Sequence, residues 1–219
     1  MKKKNKTKIY YSGWELNFFD NSKNFRNYQF QFFKKFIIGY TAEIGPGNGM
    51  NLSFYYNKAK KIDLYEPSKN LYTSLQKRFF DKKKLKIFNK KFEFIKKKYD
   101  SILYLDVLEH IKKDQIEIKN AYKCLKKNGY LIINVPAYNH LYSKFDRDVG
   151  HFKRYEKKDF VNLFSFIKNQ KIEYIYYDCI GYFLSLMSKI LLSDYKKNFE
   201  NKIKFWDSLI WLSKIFDVI

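Results

Sequence analysis

Three glycines at alternate positions follow a short apolar stretch, in the sequence TAEIGPGNGM of residues 41–50. Because glycine has no Cβ atom, the backbone of this glycine turn (Gly45, Gly47 and Gly49) can adopt positive φ and lie directly against a ligand. A helix that begins after such a turn offers unpaired N–H groups and a partial positive charge to an anionic group. The pattern therefore predicts a nucleotide-like ligand, bound between a strand and a helix.

The spacing of these glycines differs from the dinucleotide fingerprint G-x-G-x-x-G. The third glycine falls one residue early, and Met50 occupies the position where the fingerprint requires glycine. We therefore do not expect NAD or FAD as the ligand.

Two carboxylates accompany the glycine turn. Glu66 lies in the segment LYEPS of residues 64–68, directly after the second predicted strand, where a carboxylate can accept both hydroxyls of a ribose. Alternatively, Glu66 is an acid in the first turn of a helix, where the helix dipole favours it. Its spacing from the glycines favours the ribose role. Glu43, near the end of the first strand, either serves the ligand site or pairs with a surface lysine.

A third set of titratable groups follows the fourth predicted strand, in the segment LDVLEH of residues 105–110. Ligands of open parallel sheets bind at the carboxyl ends of the strands, so Asp106, Glu109 and His110 are candidate functional groups. The alternatives are that Asp106 caps the next helix and that His110 packs in the core.

Strand-like and helix-like segments alternate along the chain. The predicted strands are 40–44, 61–65, 85–88, 101–105, 130–135 and 171–177. The predicted helices are 24–37, one beginning at 48, 68–80, 114–125 and 156–167, followed by two amphipathic helices. Strands that are apolar almost throughout suit a parallel sheet covered by helices on both faces. We predict a doubly wound, mostly parallel α/β sheet of Rossmann-like type, in a single domain over residues 9–219 after a disordered basic tail over residues 1–8.

The three loops together resemble the class I S-adenosylmethionine-dependent methyltransferases, from about residue 25 to residue 177. Glu43 and the glycine turn meet the family pattern of an acid followed by G-x-G-x-G. The resemblance implies that S-adenosyl-L-methionine is the cofactor, with its methionine part against the glycine turn and its amino group near Glu43. It also implies that Glu66 binds the ribose and that Asp106 borders the methionine and the methyl acceptor.

After the fifth strand, the chain is similar to a bacterial subgroup of methyltransferases with the motifs P-A, L-Y-S-x-x-D and G-H-x-R-R-Y. The matching segments are VPA of residues 135–137 and LYSKFDRDVGHFKRY of residues 141–155. Lys153 replaces the first arginine of R-R-Y, and it cannot reproduce the planar fork with which arginine binds a carboxylate or phosphate.

Methyl transfer needs few catalytic side chains, because the sulfonium activates its own methyl group. Much of the rate comes from holding the acceptor in line with the sulfur–carbon bond. We expect Tyr142, Asp146, Arg154 and Tyr155 to line the acceptor site. Alternatively, Asp146, Asp148 and Arg154 pair with one another on the surface.

A hydroxyl or amine acceptor must also lose a proton, and the candidate bases are His151, His110 and Asp106. His151 is the preferred base; the alternative is that it orders its loop by hydrogen bonding to the backbone. Because His110, His140 and His151 lack the spacing of metal ligands, we predict no metal site.

The end of the chain departs from the family pattern, in which an antiparallel hairpin closes the sheet. Nothing strand-like follows Tyr177, and apolar residues recur at helical spacing from Phe205 to Phe216. We therefore predict that the last antiparallel strand is missing. We expect the final helix to pack within the molecule; alternatively, the sheet edge and its apolar neighbours contact a dimer partner or a membrane surface.

The formal charge of +22 is carried mainly by lysine, since only four of the 44 basic side chains are arginine. Abundant Lys, Asn, Ile, Phe and Tyr share A/T-rich codons, so coding bias is the favoured explanation of the charge. The alternative is attraction to an anionic partner, either RNA or a membrane surface.

We predict a methyltransferase for a small-molecule acceptor, such as a sugar, a lipid-linked compound or a quinone-like compound. One alternative is an RNA methyltransferase, although no RNA-binding module is recognisable. The other is a non-catalytic cofactor-binding protein that docks on an anionic membrane. The sequence does not specify an oligomeric state.

A cytoplasmic location is expected. The chain shows no signal-peptide core, and its most apolar run, residues 180–192, is shorter than the roughly 20 residues that span a bilayer. Cys124 and Cys179 show neither a disulfide nor a zinc-binding pattern, which favours a reducing compartment.

Overall fold

A five-stranded parallel sheet lies at the centre of the protein and determines where its loops meet. The computed structural model describes residues 9–167, 171–191, 194 and 196–217, and the tail predicted over residues 1–8 lies outside them. Within the described residues, the strands are β1 (Tyr40–Ile44), β2 (Lys61–Tyr65), β3 (Leu85–Phe88), β4 (Tyr99–Leu105) and β5 (Leu125–Asn134). The helices are α1 (Leu16–Phe19), α2 (Lys23–Phe33), α3 (Leu52–Tyr55), α4 (Lys69–Arg78), α5 (Asp114–Lys123), α6 (Lys144–Asp148), α7 (Lys157–Leu163), α8 (Cys179–Ile190), α9 (Phe199–Ser208) and α10 (Ile210–Phe216).

The strands run in the order β3-β2-β1-β4-β5, and every neighbouring pair is parallel. The chain turns back after β3, so β1 and β4 lie side by side while their connections leave in opposite directions. In this topology, ligands bind in the crevice at the carboxyl ends of the two central strands. The predicted doubly wound sheet is confirmed, and the part of the chain that the structure describes contains no antiparallel strand.

Two apolar cores cover the two faces of the sheet, because side chains along each strand alternate between its faces. On β4, Ile102 and Tyr104 pack with residues of α5 and α7. Leu103 and Leu105 point to the other face and pack with residues of α2, α3 and α4. All four side chains are buried, which explains why the strand is apolar almost throughout.

Three predicted strands coincide with β1, β2 and β3, whereas β5 is longer than predicted. The prediction began β5 at Tyr130, but the strand begins at Leu125. Residues 126–129 bulge from the ladder, and Asn128 has a positive φ of 62° there, so the turn signal lies within the strand. The helix predicted from Asn48 is reduced to the single turn of α3, because the backbone is still turning at the glycines.

The strand predicted over residues 171–177 is wrong, because this segment has no regular secondary structure. Its tyrosines contact different neighbours instead. The Tyr177 ring stacks on Phe25 of α2, and the Tyr176 ring stacks on Tyr138 with centroids 5.1 Å apart. These aromatic contacts hold the segment in an irregular conformation, and it does not pair with β5.

Among the residues that the structure describes after this segment there are three helices, instead of the two that were predicted. The predicted apolar stripe is divided at Leu209, between α9 and α10. Helix α10 packs against α2 and α8 and buries Ile210 and Ser213, in agreement with the expected packing within the molecule. The outer faces of these helices nevertheless expose Phe183, Met187, Ile190, Phe205, Trp211, Ile215 and Phe216. Among the described residues, no helix combines the length and apolar character needed to cross a bilayer.

The central strand β4 provides a test of this packing. Leu103 is fully buried, and replacing it with alanine leaves a cavity, so Leu103→Ala should lower the free energy of unfolding by about 2 to 5 kcal/mol. Leu191 is 70% exposed, and Leu191→Ala should change it by less than about 0.5 kcal/mol. Urea unfolding measures both variants, and equal effects would contradict the assignment of Leu103 to the core.

Candidate active site

The loops after β1 and β2 meet through a hydrogen bond. The Gly47 N–H donates to Glu66 Oε2 at 3.1 Å, and the Ser68 N–H donates to Oε1 of the same carboxylate at 2.8 Å. The glycine turn has the positive φ angles expected of it, with values of 63°, 60° and 79° along the chain. The two loops that the cofactor prediction requires to be neighbours therefore lie at the same edge of the sheet.

An N-terminal segment, residues 9–20, covers this edge. The Lys69 N–H donates to the Ile9 carbonyl at 3.0 Å, and the Tyr11 N–H donates to Ser68 Oγ at 2.9 Å. A Cβ atom added at Gly47 would lie 3.4 Å from the Leu16 side chain. Glycine thus leaves a narrow space between the turn and the covering segment, which a larger side chain would fill.

Glu66 and Glu43 are both buried, but they have different partners. Burial raises the pKa of Glu66 to about 7, although the N–H groups of Ser68 and Gly47 act against the rise. Burial likewise raises the pKa of Glu43 to about 7, opposed by hydrogen bonds from Tyr55 and Asn51. Glu43 therefore contacts the first turn and helix after the glycines, whereas Glu66 spans the two loops.

Asp106 lies at the carboxyl end of β4 in a polar cluster. Its φ is 57°, an unusual conformation for a residue with a side chain. Arg26 Nη1 lies 3.1 Å from its Oδ2, and Asn134 Nδ2 donates to its Oδ1 at 2.6 Å. The Asp106 side chain is 39% exposed. Arg26 Nε is buried and has no hydrogen-bond partner among the described residues, so the cluster has a donor available for an anionic group.

The segment of residues 142–155 forms a buried network around Asp146. Arg154 binds this carboxylate with two parallel hydrogen bonds, of 2.9 Å from Nε and 3.1 Å from Nη2. Ser143 donates from its N–H at 2.8 Å, and His151 Nδ1 lies 2.9 Å from Oδ1. Burial alone would raise the pKa of Asp146, but His151 and Arg154 outweigh it and lower the pKa below its usual range.

The alternative of a surface cluster is thus correct only in part. Asp146 and Arg154 do pair with each other, but inside the protein, while Asp148 pairs with Lys196 at 3.6 Å. Lys153 lies 2.7 Å from Asp114, which also accepts a hydrogen bond from the Tyr155 hydroxyl at 2.9 Å. Lys153 therefore contacts helix α5 as a single point charge.

Two of the three histidines contact each other. The rings of His110 and His151 are 4.6 Å apart and nearly perpendicular. Burial lowers the pKa of His110 to about 4, and the neighbouring His151 adds to the effect. Burial also raises the pKa of Glu109, beside them, well above its usual range, and the charge of Asp106 contributes. Spacing along the sequence hid this cluster, because the fold brings together distant segments.

A cavity of about 1580 Å³ opens beside the carboxyl ends of β4 and β5. Its walls are largely aromatic and include Phe25, Tyr138, Tyr182 and Trp206. Among the candidate site residues, Asp106, Tyr142, Arg154 and Tyr155 line it, whereas His110, His151 and Asp146 do not. The structure thus divides the candidates for the acceptor site and for the base between a cavity wall and a buried network, and the glycine turn, Glu43 and Glu66 do not line the cavity.

The sequence analysis missed two residues of the Asp106 cluster, Arg26 and Asn134. Asn134 is the last residue of β5, one residue before the end of the predicted strand, and could have been found by the rule that ligands gather at strand ends. Arg26 lies on a predicted helix before the first strand, and its only signal is its type, because arginine is scarce in this chain.

Comparisons with known proteins agree with this geometry. The profile of the family described as methyltransferase domain matches residues 20–178. A Bacillus halodurans protein assigned as a methyltransferase superposes with a TM-score of 0.55 at 15% identity, over 73% of this chain and 78% of that chain. The N-methyltransferase NodS from Bradyrhizobium japonicum, solved with S-adenosyl-L-homocysteine, superposes with a TM-score of 0.57 at 16% identity, over 73% of this chain and 81% of that chain. The YcgJ protein from Bacillus subtilis gives 0.55 at 14% identity, over 73% and 77%.

At these identities the superpositions establish the fold, and a search of curated proteins finds no match to the sequence. The family profile carries the assignment, because it spans well over half of the chain and includes the glycine turn, Glu66 and Asp106. The chain belongs to the methyltransferase domain family and is a class I methyltransferase that uses S-adenosyl-L-methionine.

Proposed function

We propose that this methyltransferase acts on a small-molecule acceptor, such as a sugar, a lipid-linked compound or a quinone-like compound. The observation that supports this proposal is the cavity beside Asp106, whose wall combines aromatic side chains with charged groups such as Asp106 and Arg154. Asp106 lines this cavity of about 1580 Å³, whereas the glycine turn and Glu66 do not, so the cavity suits the acceptor rather than the ribose of the cofactor.

Membership of the bacterial subgroup with the L-Y-S-x-x-D and G-H-x-R-R-Y motifs is part of this proposal. Its support is that the polar residues of both motifs contact one another. Tyr142 donates to the His151 carbonyl at 2.7 Å, and Ser143, His151 and Arg154 all bind Asp146. The network holds Tyr142 and Arg154 in the cavity wall, which gives the motifs a positioning role for the acceptor.

The described residues fit the charges of the cofactor. When bound, S-adenosyl-L-methionine supplies a methyl group that its own sulfonium activates. Each oxygen of Glu66 accepts one backbone N–H and keeps a lone pair for a ribose hydroxyl. The unpartnered Nε of Arg26 can donate to the carboxylate of the methionine part. Gly47 carries no side chain, so its backbone can lie directly against a bound ligand.

Asp106 is the candidate base that this proposal favours for a hydroxyl or amine acceptor. Of the three candidates, it alone lines the cavity, and its carboxylate is held by Arg26 and Asn134. His151 remains a candidate base only if the acceptor reaches behind the wall, because its Nδ1 is engaged with Asp146. We assign His151 a positioning role in the buried network.

Contact with an anionic membrane is a second proposal, favoured by the exposed apolar residues of α8 and α10. Phe183 of α8 also lines the cavity, and Lys189 lies on the same helix. An acceptor anchored in a bilayer could therefore enter the cavity beside this surface. Such docking would support the lipid-linked class of acceptor over the sugar class.

Glu66→Ala should weaken binding of S-adenosyl-L-methionine by about 1.5 to 3 kcal/mol, because hydrogen bonds to a charged group are lost. Glu93 is exposed and serves as a matched control, so Glu93→Ala should leave the affinity unchanged. Isothermal titration calorimetry measures both variants, with NAD as a ligand that should not bind. An unchanged affinity in Glu66→Ala would remove this residue from the cofactor site.

The affinity should also depend on pH, because the ionised form of Glu66 accepts ribose hydroxyls better than the protonated form. With a pKa of about 7 in the free protein, Glu66 loses its proton as the pH rises. The affinity of the wild type should therefore increase between pH values of about 6 and 8, relative to Glu66→Gln, and level off above them. If Glu66→Gln shows the same increase as the wild type, another group titrates and the prediction fails.

The acceptor class is tested by incubating the protein with a cell extract and S-adenosyl-L-methionine carrying a labelled methyl group. We expect the label in low-mass compounds, in the lipid fraction if the membrane proposal is correct. Label in ribonuclease-sensitive material would overturn the proposal in favour of RNA, and retention on an RNA filter at high salt would agree with that outcome. Binding to anionic vesicles without any labelled product would favour the non-catalytic alternative.

A further inference from the structure

We propose that Glu109, His110 and His151 bind a divalent transition metal ion, with zinc as the preferred ion. One potential ligand atom from each of these side chains lies within 4.8 Å of the other two. His151 Nε2 is 3.8 Å from Glu109 Oε1, and the two imidazole rings are 4.6 Å apart. None of these three side chains lines the acceptor cavity, and the proposal does not rest on the identity of the acceptor.

The carboxylate of Glu109 carries the inference. Its side chain is completely buried, yet neither oxygen has a hydrogen-bond partner among the described residues. A buried carboxylate without donors is costly, because it loses its hydration and gains nothing in return. A cation bound between the Glu109 carboxylate and the two neighbouring imidazoles would supply the missing partner.

The Asp146 network prepares His151 as a ligand. Asp146 Oδ1 lies 2.9 Å from His151 Nδ1, which places the ring proton on Nδ1 and the free lone pair on Nε2, towards Glu109. Arg154 and Ser143 also bind the Asp146 carboxylate, and they hold it in position beside His151. A carboxylate behind a histidine is the usual outer arrangement of protein metal sites.

The backbone holds the two loops of the site together. The Phe152 N–H donates to the Glu109 carbonyl at 2.8 Å, and the His151 N–H donates to the Asp146 carbonyl at 2.8 Å. His110 is further fixed by the edge of the Tyr11 ring, 5.7 Å away. The potential ligand atoms lie within 4.8 Å of one another, so metal binding requires side-chain movements of up to about 1.4 Å. Tetrahedral zinc with bonds of about 2.0 to 2.2 Å places its ligands about 3.4 Å apart, so the 3.8 Å pair must approach by a few tenths of an ångström.

The ligand types select the class of ion. Two imidazoles and one carboxylate suit zinc and its neighbours in the first transition row, whereas magnesium and calcium prefer oxygen ligands. Three protein ligands leave a position for water or another oxygen. Such an ion would join the turn of residues 108–110 to the loop of residues 149–154, whose Arg154 lines the cavity.

Zinc binding to the full chain tests the proposal directly. The purified protein is assayed for metal by mass spectrometry, stripped with a chelator, and titrated with Zn²⁺ in competition with a chromophoric chelator. We expect one zinc per chain. Asp146→Asn removes a group that orients a ligand, and it should lower the zinc affinity roughly 10- to 100-fold. Glu109→Gln and His151→Gln each remove a ligand, so each should lower the affinity by more than that. The third histidine provides the matched control, so His140→Gln should leave the affinity unchanged.

Thermal unfolding separates loss of a ligand from loss of the fold. Without metal, Glu109→Gln should unfold at the same temperature as the wild type or a higher one, because it removes an uncompensated buried acid at constant shape. Added zinc should raise the midpoint of the wild type and not that of Glu109→Gln. Equal zinc affinity in the wild type and Glu109→Gln, or an equal loss in His140→Gln, would overturn the proposal. These measurements need no cofactor, so they remain decisive whether or not S-adenosyl-L-methionine binding behaves as proposed.

Discussion

The register of β1 against its two neighbours is the constraint on which the rest of the protein depends. Ile44 pairs with Tyr65 of β2 on one side and with Tyr104 of β4 on the other, so the three strands end at the same level. The groups that follow them, the glycine turn, Glu66 and Asp106, are therefore brought to one edge by the sheet itself. A shift of one residue would displace a loop by about 3.3 Å and reverse the faces of a strand. The Gly47–Glu66 hydrogen bond could not survive it.

The buried carboxylates around this edge differ in how fully their charge is compensated. Asp146 receives hydrogen bonds from Arg154 and other donors, and its pKa is lowered although it is buried. Glu43 and Glu66 receive fewer or neutral donors, and burial keeps the pKa of each near 7. Glu109 has no hydrogen-bond partner among the described residues, and burial raises its pKa well above the usual range. The number and charge of donors, more than depth, thus decide which acid is ionised.

Local sequence patterns predicted the parts of the fold that depend on local physics. The bounds of β1, β2 and β3 and the meeting of the glycine turn with Glu66 follow from apolar runs and from glycine at fixed spacing. The contact between the His110 and His151 rings could not be predicted from such patterns. It joins two segments far apart in the sequence, which are held together by the hydrogen bond from the Phe152 N–H to the Glu109 carbonyl. Residues 171–177 were predicted as a strand, but they have no regular secondary structure, and the rings of Tyr176 and Tyr177 pack on Tyr138 and on α2. Contacts between segments that are distant in the sequence leave no periodic pattern from which they could be predicted.

The scarcity of arginine in this lysine-rich chain makes its burial informative. Coding bias can place lysine on any exposed surface, because a single hydrated charge there costs little. The side chains of Arg26 and Arg154 are only 9% and 13% exposed, and both contact carboxylates at the candidate site. Arg154 uses the planar fork that Lys153, 40% exposed, does not have. A basic side chain therefore indicates a functional position here only where it is buried and must bind its partner through a planar guanidinium. The net charge of +22 does not distinguish such positions from exposed lysines.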